Sequence, residues 1–550
     1  MKMRLEKKRI LQAAVLALTA AALGCGCAAL QNLDNGSRET AEREAAFAKA
    51  ASEPTAPYPE TVTYTLAKLT SSGDSLMPEG DTYEDNAYTR FLKDFLNVQN
   101  EDVIEVSEVE NYDLYVDRLI AENQMPDVML ISDLAKVRQL AEEGLIEDLT
   151  AAYENCTSAT VKEIYGSYGE ELLDSVTIDG RLMALPTTQV NYGCSLFWVR
   201  QDWLEELHLD EPETLHDVEE IVLAFRENQM GGAGNVGLVC TDGLVGEGSA
   251  NFSLDPVFGA FGAYPQIWIR DETGEMQYGS LSGETKAALA CLHDWYEKGV
   301  LDEDYMMRTT TEIGKLVEEG HCGAFFGWWW APNAPLLASV EADPDAVWKP
   351  YLIGDESGQV NSYIYAKGTQ YIVVRKGYGH PEIVMKIITA LFDNGRFQGD
   401  STEEIDAYQA MGVDITARPL VINCDYSDAV FRTTDRIRAA LQGNLDIGAL
   451  SSLEQVYYRS CGDYLGGSGE PDDWAAYASR VEAVELMAQG NVVYVNEDYV
   501  QQSNAPVPQE LLDMEILDFM KIVTGEEDLS YFDQFAESWE KNMFLENLSY

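Results

Sequence analysis

Positive charge is scarce in this chain. Its 550 residues carry 37 Lys and Arg against 94 Asp and Glu, a formal net charge of −57. Such a surface repels phosphate backbones and anionic headgroups, which argues against nucleic acid as a partner and against electrostatic membrane binding. Histidine is scarcer still. The five residues form no H-E-x-x-H and no pair at metal-ligand spacing, so neither a metal nor a cofactor is expected. No C-x-x-C occurs among the nine cysteines, which excludes a zinc ribbon and a clustered disulfide scaffold. Outside the first 27 residues they are Cys156, Cys194, Cys240, Cys291, Cys322, Cys424 and Cys461. An odd number leaves at least one unpaired, and most read as small buried apolar groups. No Walker A pattern and no G-x-S-x-G elbow is present. Residues 232–237 spell G-x-G-x-x-G. A helical pattern precedes them and a strand-like stretch, 236–240, follows, the reverse of the dinucleotide-binding order, so a loop is expected. There is no internal repeat.

What the chain does have begins at its start. Lys2, Arg4, Lys7, Lys8 and Arg9 precede an apolar run over 10–24 interrupted only by Gln12 and Thr19. The run is short for a bilayer span, which takes about 20 apolar residues, and it ends at small residues beside Cys25 and Cys27. That is the pattern of a secretory signal over residues 1–24. Ala22-Leu23-Gly24-Cys25 resembles a bacterial lipobox, departing from it at Ala22, where leucine is usual. The resemblance implies lipidation (palmitate) at Cys25, with Cys27 as second choice. An ordinary cleaved signal is the alternative. Residues 25–58, rich in Ala, Glu, Ser and Thr, read as lipid anchor and linker.

From residue 61 strand and helix patterns alternate. The stretch 61–66 is β-prone; Tyr88, Phe91, Leu92 and Phe95 share one helix face; 103–106 reads as a strand and 112–123 as a helix. The wholly apolar 128–131, set between helices, fits a parallel strand covered on both faces. A helix from Leu134 closes at Gly144. A second α/β region opens near Tyr192 with a strand over 195–199, and Thr214 with Asp217 forms a capping box ahead of another helix. The last 150 residues are mostly helical in pattern. The fold class expected is α/β.

Several blocks then resemble, in order, the extracellular solute-binding proteins of ABC transporters, in the carbohydrate-type family 1 and its lipoprotein branch. They are Pro126-Asp127-Val128 with Gly144-Leu145-Ile146-Glu147-Asp148-Leu149, the stretch from Asp179 to Pro186, the stretch from Leu196 to Leu204, and the stretch from Gly320 to Trp330. The resemblance implies a two-lobed, periplasmic-binding-protein-like (class II) fold with a hinge and a helical C-terminal extension. Lobe 1 would comprise 59–190 plus 358–400, and lobe 2 would comprise 191–357 plus 401–550. The chain would cross near 187–192, 350–362 and 400.

Sugars present a flat C–H face to aromatic rings and a rim of hydroxyls to carboxylates and amides. Trp328, Trp329 and Trp330 are the sharpest candidates. Alternate side chains of a strand face opposite ways, so three rings in a row resist common burial, and the family places a stacking tryptophan there. Their bland alternative is core. Asp133 follows an apolar strand, where open α/β sheets bind ligands, and Asp85 and Asn86 hold the corresponding place after the first strand; all three could be helix caps instead. Asn191 and Tyr192 fall at the hinge, and Tyr363 and Tyr365 border the second crossing. The implied protein is a monomeric, lipid-anchored lipoprotein on the extracellular face of the bacterial cell membrane, not an enzyme. It would capture an oligosaccharide and pass it to the permease of an ABC importer. The alternatives are a surface glycan hydrolase, or a binding protein for peptides or other solutes. Uronate chains would need Lys or Arg in the cleft, and with 37 basic residues in all the composition favours neutral sugars.

Overall fold

The computed structural model describes residues 41–71, 76–107, 109–190, 192–245, 251–270, 274–363, 370–396, 399, 402–495 and 507–547. Cys25, Cys27, Asn191 and Tyr365 lie outside the described residues, as does the signal segment.

Two sheets organise the chain. The first has five strands, β1 (Val62–Leu69), β2 (Val98–Val106), β3 (Val128–Ile131), β4 (Leu185–Pro186) and a late-returning strand, Tyr371–Val374. Their spatial order is β2, β1, β3, the late strand, β4. β1 pairs in parallel with β2 and β3, whereas the late strand runs antiparallel to β3 and β4. All four residues of β3 are buried, as an apolar strand between two covered faces must be. Helix Ala87–Leu96 begins at an Asn86–Thr89 capping box and ends on Asn97 in the left-handed region. The core around this sheet joins Tyr64, Leu66, Met129, Tyr165, Val373 and Ile387.

The second sheet is antiparallel, with β5 (Leu196–Arg200) between β6 (Ala324–Gly327) and β7 (Trp348–Tyr351). Its strands alternate in the manner of a sheet buried on both sides. Phe197, Val199, Ala324 and Phe326 enter one core, whereas Leu196, Trp198 and Phe325 enter another. The C-terminal helices Gln509–Val523 and Tyr531–Asn547 close the first of these cores with Phe519, Phe535 and Trp539. The Trp539 ring stacks on Tyr278 at 4.4 Å.

A further strand, β8 (Val360–Ser362), pairs in parallel with Val492–Tyr494 on the second-lobe side. In chain order the late strand of the first sheet is therefore β9 (Tyr371–Val374) and Val492–Tyr494 is β10.

The lobe boundaries differ from those drawn on the sequence. Residues 41–50 are helical rather than linker. Ala50 and Tyr58 are buried in the first core, and the buried Lys386 ammonium donates to the carbonyls of Glu53 and Ala56. Ile405, Tyr408, Leu420 and Cys424 also enter the first core, not the second, while Val360 sits in the second. The first crossing lies between β4 and β5 and the second between β7 and β9. The third falls beyond Cys424 rather than near 400. There the chain runs beside the first crossing: the Thr188 N–H donates to the Asn423 carbonyl at 2.9 Å, and the Asp425 N–H donates to the Thr188 hydroxyl at 2.9 Å. Residues 236–240 make one isolated bridge, Leu238 to Leu301, rather than a strand, and 232–234 form a single 3₁₀ turn. The seven described cysteines are all free, and all but Cys291 are buried.

Candidate functional site

At the hinge the lobes leave a cleft of about 730 Å³. It continues into a neighbouring space of about 410 Å³, and the two share Arg396, Asp425, Ser451, Leu453 and Arg480. The smaller space has Tyr88, Phe392 and Ile405 of the first lobe on one side and Ser451 to Leu453 and Arg480 on the other. Among the described residues no helix is long and apolar enough to cross a membrane, and no group of three metal-ligating side chains occurs.

Tyr192, Trp328, Trp329 and Trp330 all line the larger cleft. The tryptophans reach it by a route the sequence does not spell out. β6 stops at Gly327, so the three rings do not alternate along a strand; the chain turns at once and fans them out. Trp328 is buried at 5 % exposure. Its N–H donates to Asn251 Oδ1 at 2.9 Å and its carbonyl accepts from Trp198 Nε1 at 3.2 Å. Trp329 and Trp330 are half-buried. Tyr192 meets the Tyr494 ring edge-on at 5.4 Å.

The other predicted positions lie elsewhere. Tyr363 is buried behind Trp328, its hydroxyl 3.1 Å from Asp255 Oδ1, in a small separate void. Asn86 is fully buried. Its oxygen accepts from the N–H groups of Tyr88 and Thr89, and its amide donates to the carbonyls of Thr82 and Ala417. Asp85 is exposed and pairs with Arg90 at 2.9 Å. Asp133 is exposed and caps the helix Leu134–Glu142 by accepting from Ala135 N–H at 2.8 Å. None of these four lines the cleft.

Sequence reasoning missed the cleft's cations. Arg396, Arg432, Arg436 and Arg480 line it, with Asp425, Asp435 and Glu454. Arg396 pairs with Asp425 at 2.8 Å, Arg432 with Asp428 at 2.6 Å and Arg436 with Glu454 at 2.8 Å. The Arg432 guanidinium also lies 4.0 Å from the Tyr426 ring centre, a cation–π contact. The Arg480 guanidinium lies 4.4 Å from the ring centre of Trp329 and 4.2 Å from that of Tyr457. Burial, with Arg396 nearby, pulls Arg480 below the usual arginine range, though a guanidinium stays protonated at neutral pH. The spacing of Arg432 and Arg436, one turn apart on one helix of a chain poor in positive charge, is the signal that could have pointed here.

Against this geometry stand the likenesses to known proteins. The bacterial extracellular solute-binding protein family matches residues 87–393, more than half of the chain. The chain belongs to that family. It is 22 % identical over 377 residues to the polygalacturonan/rhamnogalacturonan-binding protein YtcQ of Bacillus subtilis strain 168, a match spanning 67 % of this chain and 69 % of that one. It is 25 % identical over 214 residues to lipoprotein LipO of the same organism, and 21 % identical over 227 residues to the fructooligosaccharide ABC transporter substrate-binding protein FusA of Streptococcus pneumoniae. Those matches span 37 % and 38 % of this chain, and 39 % and 40 % of LipO and FusA. Among solved structures, alginate-binding protein AlgQ2 superposes with a TM-score of 0.55 at 13 % identity, covering 89 % of this chain and 97 % of AlgQ2. FusA in complex with fructo-nystose gives 0.55 at 14 %, over 88 % and 97 %. The fold is the two-lobed α/β fold of periplasmic binding proteins.

Proposed function

We propose that this extracellular solute-binding protein is a lipid-anchored, non-catalytic receptor that holds an oligosaccharide between its lobes and delivers it to an ABC permease. The observation that carries the reading is the aromatic wall of Tyr192, Trp328, Trp329 and Trp330 in the interlobe cleft, rimmed by arginines and carboxylates. Rings suit the C–H faces of sugars, and the charged rim suits their hydroxyls. The names of YtcQ and FusA, two saccharide-binding relatives, support it. Ligand would favour the closed arrangement because only there do both lobes touch it. The crossings between β4 and β5, between β7 and β9, and beyond Cys424 would flex. The lipoprotein relative LipO supports the anchor, with Cys25 as the lipidated residue and Cys27 as second choice.

Calorimetry and thermal melting of the full lipoprotein in detergent against an oligosaccharide library test this reading. Expected is a saccharide that raises the melting temperature and is recovered intact. Cleavage of the bound sugar would overturn it in favour of a glycan hydrolase; tight binding of peptides alone would overturn it in favour of a peptide receptor. Cys25→Ser is expected to abolish palmitate labelling in cells, with Cys27→Ser retaining it.

A further inference from the structure

Three of the four arginines lining the cleft have a carboxylate within ion-pair distance. The fourth does not. Among the described residues Arg480 pairs with no carboxylate, and its one hydrogen bond there, from Nη2 to the Tyr457 hydroxyl at 2.8 Å, uses one of its five N–H donors. Nε is buried with no acceptor among the described residues. Another cation, Arg396, also acts on the group and adds to the effect of burial in disfavouring its charge. Both arginines line both compartments of the cleft.

A guanidinium partly withdrawn from water near a like charge is costly. The rings of Trp329 and Tyr457, 4.4 and 4.2 Å from the guanidinium carbon, repay part of that cost by cation–π attraction. They also decide the approach. With rings beside the guanidinium, a ligand acceptor is left the N–H groups that the rings do not cover. A carboxylate fits them with two parallel acceptors and restores the missing charge, whereas a sugar hydroxyl supplies one neutral acceptor and no charge. The placement is also selective. In a protein of net charge −57, four of only 37 basic residues converge on this one cleft and outnumber the three carboxylates lining it.

We propose that the cleft takes a saccharide bearing a carboxylate, a uronate, and that Arg480 receives that carboxylate beside Arg396. The ligand's ring then lies near Trp329 and Trp330, while its acid group meets the unspent N–H edge. This rests on the carbohydrate reading above and replaces the preference for neutral sugars drawn from composition.

The test is a set of matched pairs. Tetramers of galacturonate, mannuronate and glucuronate are each titrated by calorimetry beside the same tetramer with its carboxyls reduced to hydroxymethyl groups. The wild-type protein is expected to bind at least one uronate roughly ten- to hundredfold more tightly than its reduced partner, the range for hydrogen bonds to a charged group. Arg480→Gln is expected to bring the two members of that pair to similar affinity. Melting of the variant checks its fold, and if it does not fold the wild-type pairs alone decide. Equal affinity within every pair, or preference for a neutral member, would overturn the inference and leave the carbohydrate reading standing. No binding of any saccharide, acidic or neutral, would overturn both.

Discussion

Gly193 seats the ring of Trp328. A Cβ on Gly193 would stand 2.6 Å from Trp328 Cζ3, closer than two carbons can approach without one of them moving. The glycine lies in the first crossing between the lobes. Its N–H donates to the Tyr494 hydroxyl at 3.0 Å and its carbonyl accepts from Ser362 Oγ at 3.4 Å, so the backbone there cannot easily retreat. Gly193→Ala is therefore expected to push the indole into the cleft. Overpacking of this kind costs about 1–3 kcal/mol, read as a lower denaturation midpoint, and ligand affinity should fall with it. Unchanged stability and affinity together would mean that Trp328 is not held against the crossing.

The three tryptophans should separate into two behaviours. Trp328 is buried, so Trp328→Ala opens a cavity and is expected to cost about 3–5 kcal/mol of stability. Trp329 and Trp330 are half-buried. Their alanine variants should fold with smaller losses and weaken saccharide binding by about 1–3 kcal/mol if the rings stack on it. Calorimetry paired with urea denaturation distinguishes the two effects. Full affinity in both Trp329→Ala and Trp330→Ala would remove the stacking role.

The contrast among these rings shows where the sequence is readable. Residues 128–131 and β5 were recognisable because a run of apolar residues bounded by breakers has few places to go except the centre of a sheet, and both are fully buried. The Thr214–Asp217 capping box was equally plain, since its hydrogen bonds are local. Of the two reasons for singling out the tryptophans, family resemblance and strand alternation, the second does not apply, because the chain leaves the strand at Gly327 before reaching them. Residues 405–424 were drawn with the second lobe because an amphipathic pattern states that a face is buried, not which sheet buries it. Arg480 was invisible for the same reason. Its meaning comes from Trp329, far away in the sequence, and from the lack of a carboxylate, which no local pattern records.

Glu515 makes the stability of the second lobe dependent on pH. The side chain is buried at 1 % exposure on helix Gln509–Val523. It accepts from Ser280 Oγ at 2.7 Å and from the Tyr278 hydroxyl at 3.3 Å. Burial pushes its carboxyl from 4.5 up to about 7. The folded state therefore holds this proton more tightly than the unfolded chain does. Its contribution is fully present below 4.5 and is lost as pH rises from there through about 7. Glu515→Gln is neutral at every pH, so its stability relative to the wild type should be greater at about pH 8 than at about pH 5. A difference between the two proteins that does not change with pH would show that the carboxyl titrates normally.

Asn86 and Asp133 stand at helix N-termini, and a cap and a ligand contact predict opposite results. Asn86 is fully buried and its side chain joins the helix Ala87–Leu96 to the Thr82 and Ala417 carbonyls. Asn86→Ala should lower stability by about 1–2 kcal/mol for the cap, plus the cost of the carbonyls it leaves without a donor. Asp133 caps from an exposed position, so Asp133→Ala should cost about 0.5–1 kcal/mol. Neither residue lines the cleft, and saccharide affinity measured well below the melting temperature should be unchanged in both. If either variant keeps its stability but loses affinity, that residue reaches the ligand when the lobes close, and the closing motion must be large enough to bring a helix N-terminus of the first lobe to the cleft.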